Sequence, residues 1–382
     1  MNYAGFLLRQ ERLKRNWSQE GLCRDICTVS YLSKIEQGKV VPSDDILRLL
    51  MEKMELPWGS PSPGMAEWIE ELYEALFSYD KDLASRISLT DELQYLYSPF
   101  GADWQLLQRI VLHPGQPLEE ELEACLDNRQ LALQRMLQGR YEEAVQLYPA
   151  AFFYSAAGGS HYGSGRITAA LEAFQTGYRL AAAEGRPRVM LYCKTLMGNC
   201  YSNQHDLAAM QSHYAVARRL AAALRDTEML TSIDYNIAST QLEAGQYEKA
   251  LLYFQTLDHP SRMDLHKLAI CCEKLGMRQQ ALDALERVRD TPPSTWIPAG
   301  LEEQMLDVVR LRLTDPAYLQ DPRYGALLLE CFDRCRKELS SGYAMFHLPW
   351  VLEWYEANRQ YKQALQLMKC FPEFGRKEGL TG

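Results

Sequence analysis

Apolar residues recur at three and four along almost the whole chain, as in Leu72/Leu76, Leu122/Leu126 and Leu365/Met368, and no sustained period-two alternation interrupts them. That spacing is one face of a helix, so the pattern predicts an all-α protein. Helix punctuation divides the first 56 residues. A first helix is expected over about 3–15. Ser18 is placed to cap a second, Thr28 to open a third that stops at Gly38, and Pro42-Ser43-Asp44 to start a fourth. Leu8, Leu22, Ile26, Leu32, Ile35, Ile46, Leu47 and Leu50 supply the core of such a bundle. The stretch Leu56-Pro-Trp-Gly-Ser-Pro-Ser-Pro-Gly64 then holds three prolines and two glycines in nine residues. It reads as a linker, 57–65, between a head (1–56) and a much longer helical body (66–371), with 372–382 as a flexible tail.

The body repeats. Leu137-Gln-Gly-Arg-Tyr-Glu-Glu-Ala-Val-Gln-Leu-Tyr148, Met197-Gly-Asn-Cys-Tyr-Ser-Asn-Gln-His-Asp-Leu-Ala-Ala-Met210 and Asn236-Ile-Ala-Ser-Thr-Gln-Leu-Glu-Ala-Gly-Gln-Tyr-Glu-Lys-Ala-Leu-Leu-Tyr-Phe254 are versions of one pattern. It is similar to the tetratricopeptide (TPR) repeat, a helix-turn-helix unit. Small residues fall mid-way along the first helix (Gly198, Ala238, Ala269), turn residues between the helices (Gly139, Gly245, Gly276), and alanine where the second helix crosses the first (Ala144, Ala170, Ala250, Ala281). Met210 departs from the last rule. Crossing positions are spaced 26, 40, 40 and 31 residues apart, so the helices are expected to be uneven in length. Six or seven pairs would fill the body and stack into a right-handed solenoid with a concave inner face.

The net charge of −9 is an average. Residues 1–56 carry nine Lys and Arg against eight Asp and Glu, a net of +1, and the rest carries 32 against 42, a net of −10. Four of the head's basic residues lie between Arg9 and Arg15. No run of apolar residues is long enough to span a membrane or to form a signal peptide, so a cytoplasmic protein without membrane contact is expected. The ten cysteines form no CxxC pair; Cys23/Cys27 and Cys331/Cys335 are each four apart. All ten are expected to be packing thiols, with no metal and no cofactor. No Walker A, GxGxxG or GxSxG motif occurs, so no catalytic residue is assigned and an enzyme is the least favoured class. The glycines around His161, Gly158 to Gly165, read as a turn with close helix contact.

Trp17-Ser-Gln-Glu-Gly-Leu22, Tyr31-Leu-Ser-Lys-Ile-Glu-Gln-Gly-Lys39 and Pro42-Ser43 together resemble the XRE-type helix-turn-helix of lambdoid phage repressors, over essentially all of 5–56. The resemblance implies that the third helix enters the major groove. Val29, Ser30, Ser33 and Lys34 would then face base edges, Gln19 would bind phosphate through its side chain and backbone N–H, and Lys39 and Ser43 would grip the DNA backbone. Arg12 and Glu36 occupy positions that pair internally in that family. Val29 stands where many relatives carry a polar base reader. A net of +1 gives one copy little phosphate affinity, so two copies on a two-fold site of double-stranded DNA are expected.

Head and body together resemble the RRNPPA group (Rap, Rgg, NprR, PlcR, PrgX), with the head most like its PlcR-type members. The resemblance implies a quorum-sensing transcription regulator that forms a homodimer through the TPR region and is controlled by a short imported signalling peptide. First helices of TPR units line the concave face. The expected face reads Tyr192, Leu196, Asn199, Asn203 in one repeat. It reads Ser232, Tyr235/Asn236, Ser239, Leu242 in the next, and His266/Lys267, Ile270, Glu273 in a third. Asparagine pairs with a peptide bond whatever the side chain, so Asn199, Asn203 and Asn236 are the central candidates; as plain inter-helix residues they would mean nothing for a ligand. Tyr3, Trp58, Trp68 and Tyr73 bracket the linker, either to dock the head or as ordinary core. Two other functions fit the same architecture: a protein-interaction scaffold, and a mobile-element repressor whose repeats only dimerise.

Overall fold

The computed structural model describes residues 2–59, 63–204, 206–339 and 341–370. The expected linker residues 60–62 and tail 372–382 lie outside them. The protein is all-α. By internal contacts it divides into Met1–Ser160 with Glu172–Cys193, and His161–Leu171 with Lys194–Gly382.

The first unit begins with α1 (Tyr3–Lys14), α2 (Gln19–Cys23), α3 (Val29–Glu36) and α4 (Asp44–Lys53). Each start has its cause in the sequence. The Ser18 and Thr28 side chains accept from the backbone N–H groups of Gly21 and Tyr31, satisfying donors that a helix start leaves orphaned. Gly38, at φ +68°, ends α3 in the left-handed conformation that glycine tolerates. Leu8, Leu22, Leu32, Ile35, Leu47 and Leu50 are buried as expected, while Ile26 and Ile46 are half-buried at the bundle's rim. Gly5 lets α1 approach α3 closely, since a Cβ there would fall 2.2 Å from the Ile35 carbonyl oxygen.

The Pro/Gly stretch is shorter than its composition suggests, because α5 (Pro63–Phe77) already starts at Pro63, a residue suited to the first turn of a helix. Helices α6 (Leu83–Ser88), α7 (Glu92–Leu96) and α8 (Gly101–Leu112) and a 3-10 segment, Glu120–Cys125, follow. They share one hydrophobic core with the head. Tyr3 makes the tie: its hydroxyl donates to the Leu96 carbonyl at 2.9 Å and accepts from Gln105 Nε2 at 3.0 Å. Trp58 and Tyr73 are buried in the same core, and Trp68 packs at its edge.

From residue 128 the chain is a run of helix pairs: α9 (Asn128–Leu137) with α10 (Tyr141–Leu147), α11 (Ala151–Gly163) with α12 (Ile167–Glu184), α13 (Pro187–Asn203) with α14 (Leu207–Ala223), and α15 (Thr227–Glu243) with α16 (Tyr247–Phe254). The remaining pairs are α17 (Arg262–Lys274) with α18 (Arg278–Arg287), α19 (Leu301–Thr314) with α20 (Pro322–Glu338), and α21 (Ser341–Ala357) with α22 (Tyr361–Cys370). Crossing residues Ala144, Ala170, Ala250 and Ala281 are buried, and Met210 is buried in the same role. The short interval of 26 is a true repeat step, because α10 has seven residues and α11 thirteen, against seventeen in each of α13, α14 and α15. Gly158 does not form a turn. It lies inside α11, where a Cβ would sit 2.6 Å from the Phe174 ring, and the turn follows at Gly165 (φ +73°).

Candidate functional site

Two surfaces gather the candidate residues. In the head, Leu32, Ile35 and Glu36 turn α3 inward, and Val29, Ser30 and Lys34 are left exposed, with Ser33 half-buried beside them. These four positions lie on one face of the helix by its own period. Val29 is 43% exposed, so an apolar group is offered to the outside at the start of α3. Lys39 and Ser43 are also exposed, and the Ser43 hydroxyl makes no cap hydrogen bond to α4.

Behind this face, Arg12 and Glu36 pair as expected. The guanidinium donates from Nε and Nη2 to both carboxylate oxygens, at 2.7 and 2.8 Å, and Nη1 donates to the Trp17 carbonyl at 2.8 Å. The hydrogen bond to Glu36 raises the Arg12 pKa further. Gln19 stands differently from expectation. Its Nε2 donates to Glu36 at 2.8 Å, so its side chain braces the buried pair and is not held free for phosphate. The cluster of basic residues in α1 is also partly spent, since Lys14 and Arg15 both pair with Glu11. Arg9, Arg24, Lys34 and Lys39 are the exposed basic residues that carry the positive field of the head.

The second surface is a cavity within the second unit, enclosing about 680 Å³ of open space including its mouth. Its wall is drawn from α11, α13, α15, α17, α19 and α21, each the first helix of a pair, with Tyr214 of α14 added. Asn199, Asn203, Tyr235, Asn236, Ser239 and Lys267 all line it. Asn199 Oδ1 accepts from the Tyr214 hydroxyl at 2.6 Å and from Asn236 Nδ2 at 3.3 Å. Asn203 Nδ2 reaches the Tyr162 hydroxyl at 3.5 Å, and Ser202 and Thr240 share a hydrogen bond at 2.5 Å. The asparagines are therefore held in place before any ligand arrives. Gly198 is required here: a Cβ would lie 2.3 Å from the Tyr214 ring.

Lys267 is buried with its ammonium 4.2 Å from the centroid of Phe346 and 5.8 Å from that of Tyr235. Burial lowers its pKa, and the charge of Glu243, also on the wall, opposes that shift. Burial likewise drives His266 well below its usual 6.5, with His347 and Lys267 adding to the effect and a backbone contact to Met305 opposing it. The cavity thus offers amides, hydroxyls, one cation and one carboxylate among aromatic rings. That is a surface suited to a ligand with a polar backbone and apolar side chains.

Six residues of the expected face are not on this wall: Tyr192, Leu196, Ser232, Leu242, Ile270 and Glu273. Tyr192 packs edge-on against Tyr79 and Phe174, at 5.2 and 6.2 Å between centroids, inside the first unit. Leu242 lies four residues from Ala238 on the packing face of α15 and is buried in the core. Ile270 is buried too, in a stretch of α17 covered along 265–272, and Lys267 is the last α17 residue on the cavity wall. Glu273 pairs with buried Arg312 at 3.0 Å. Sequence reasoning missed the contribution of α19 and α21, namely Met305, Tyr343, Phe346 and His347. Extending the first-helix rule past residue 300 would have found it.

A helix-turn-helix head joined to TPR-like helical repeats defines a class of DNA-binding regulators. Residues 8–59 match the family model described as helix-turn-helix. The chain is 26% identical over 278 residues, 60% of its length and 67% of the relative's, to the transcriptional activator NprA of Geobacillus stearothermophilus. The fold is shared with a Rap protein solved in complex with competence and sporulation factor, at a TM-score of 0.53 and 14% identity, over 83% of this chain and 99% of that one. Bacillus thuringiensis PlcR, solved with the peptide PapR7 and DNA, aligns over 74% of this chain and 99% of its own at 13% identity, with a TM-score of 0.30. The resemblance to the RRNPPA group is borne out. The helix-turn-helix match and the likeness to a transcriptional activator point to a DNA-binding transcription regulator.

Proposed function

We propose that the protein is a cytoplasmic quorum-sensing regulator that binds a two-fold site on double-stranded DNA as a homodimer, under the control of a short imported peptide held in the cavity. The observation that carries the reading is that one chain combines an exposed reading face on α3 with a polar cavity built from successive first helices. Val29, Ser30, Ser33 and Lys34 read bases in this account, and Lys39 and Ser43 hold the DNA backbone. Gln19 acts mainly by holding Glu36, leaving its backbone N–H for phosphate. Asn199, Asn203 and Asn236 pair with peptide bonds of the ligand, Tyr235 and Ser239 shape its pockets, and Lys267 with Glu243 orients its charged groups. NprA's description as a transcriptional activator and the competence and sporulation factor held by the Rap protein support the two halves of the reading.

The test is a titration of the full chain on DNA fragments from its own locus, with and without peptides encoded beside it. A specific complex whose affinity changes with one peptide is expected. The Lys34→Ala, Ser30→Ala double variant separates this reading from a scaffold, since a scaffold keeps its biological output when DNA binding is abolished. The Asn236→Ala variant separates it from a repressor whose repeats only dimerise, which would keep its induction.

A further inference from the structure

We propose that Cys331, Cys335 and His347 form a binding site for a soft divalent cation of the zinc class. Cys331 and Cys335 are one helical turn apart on α20, so their sulfurs leave the same face. Both are fully buried. Helix α21 packs on α20 and brings His347, also fully buried, to that face. The two sulfurs and a ring nitrogen lie within 4.8 Å of one another, a group of three such donors found at this one place among the described residues. Zinc bonds of about 2.0 Å to nitrogen and about 2.3 Å to sulfur need a set of this size.

The orientation of His347 is the second observation. Its Nδ1 lies 2.8 Å from the Tyr343 carbonyl, which only accepts, so Nδ1 carries the proton and Nε2 presents a lone pair. That Nε2 is buried without a hydrogen-bond partner. A backbone carbonyl fixing one ring nitrogen while the other is left bare is the arrangement of a ligating histidine. Beside it, His266 stacks on His347 at 6.5 Å between centroids, and neither of its buried nitrogens makes a hydrogen bond of normal geometry. Among the described residues, the polar neighbours of these nitrogens are the Cys335 thiol for His347 and a backbone contact to Met305 for His266, weak partners for a fully buried corner.

Both histidines also border the cavity. Binding would convert the two thiols to thiolates, releasing two protons to solvent with no change of oxidation state. The ion would clamp α20 to α21. This inference stands on the cluster's own geometry and does not depend on a peptide ligand.

The full chain, reduced with a non-chelating phosphine, is loaded with zinc, desalted and analysed for metal. It is then loaded with cobalt and its absorption recorded. About one bound equivalent is expected, with a thiolate-to-cobalt charge-transfer band and the intense visible bands of four-coordinate cobalt. The Cys331→Ser, Cys335→Ser double variant and His347→Ala should lose the stoichiometric metal, and Cys271→Ser, a buried thiol outside the cluster, should keep it. Absence of both bound zinc and the cobalt thiolate band in the wild-type chain overturns the proposal, as does retention of zinc by the double variant. The wild-type cobalt spectrum decides the matter even where a variant fails to fold.

Discussion

The two candidate surfaces are built on opposite principles. On α3, the residues offered outward are exposed and few, and the polar bonding lies behind them in the Arg12–Glu36–Gln19 cluster. In the cavity, the candidate residues themselves are bonded to one another, Asn236 to Asn199 and Asn199 to Tyr214. A surface that meets a large, hydrated, charged partner keeps its donors in water and fixes only its frame. A cavity that takes a small ligand holds its amides in advance, which lowers the ordering cost of binding.

The largest expected effect tests the frame behind α3. Glu36→Ala leaves Arg12 buried and unpaired, and should cost about 3–5 kcal/mol of stability, read by urea unfolding of the full chain. The double variant Arg12→Met, Glu36→Met should recover much of that loss, because no charge is left stranded. Next comes the face itself. Lys34→Ala with Ser30→Ala should weaken specific DNA binding by about 1–3 kcal/mol for each base-reading side chain removed, with the unfolding midpoint unchanged. Fluorescence anisotropy at fixed salt reads the first and a urea titration the second. If the two variants had the same effect on stability, frame and face would not be separate.

Smaller effects belong to the cavity. Asn236→Ala should weaken peptide binding by about 1 kcal/mol and leave DNA binding without peptide as it was; calorimetry and anisotropy on the same preparation check both. The smallest effect lies away from both surfaces and sets a baseline. Arg135 holds Glu123 at about pKa 2 through hydrogen bonds of 2.6 and 2.8 Å, against 4.5 for a free group. A carboxylate with a depressed folded pKa stabilises above its unfolded pKa, and that stability is lost as pH falls from 4.5 towards 2. Glu123→Gln should therefore cost about 1 kcal/mol near pH 7, after discounting for solvent screening. Melting curves from pH 7 down should show the difference from wild type shrinking as acid rises.

The same contrast explains what could be read from the sequence. The head was legible almost residue by residue, because its signals are local: Ser18 and Thr28 cap the helices expected of them, and Gly38 ends α3. The repeats were legible as a class, because Ala144, Ala170, Ala250 and Ala281 must be small wherever backbones cross. The cavity was legible in its middle, at Asn199, Asn203, Tyr235, Asn236, Ser239 and Lys267, and blurred at its ends. Tyr192, Leu242 and Ile270 sit within a turn or two of true wall residues, but the twist of each helix against its neighbours decides which residue faces inward. His347 escaped notice for a related reason. It is brought to Cys331 and Cys335 by the packing of α21 on α20, and no spacing along the chain announces how two helices meet.

The most direct test of the central claim is the anisotropy titration of the full chain on DNA from its own locus, run at several salt concentrations with and without the candidate peptide. The account predicts a specific complex whose affinity shifts with peptide in the wild type and does not shift in Asn236→Ala. Absence of a specific complex at every salt concentration, or a complex indifferent to every peptide encoded beside it, would contradict it.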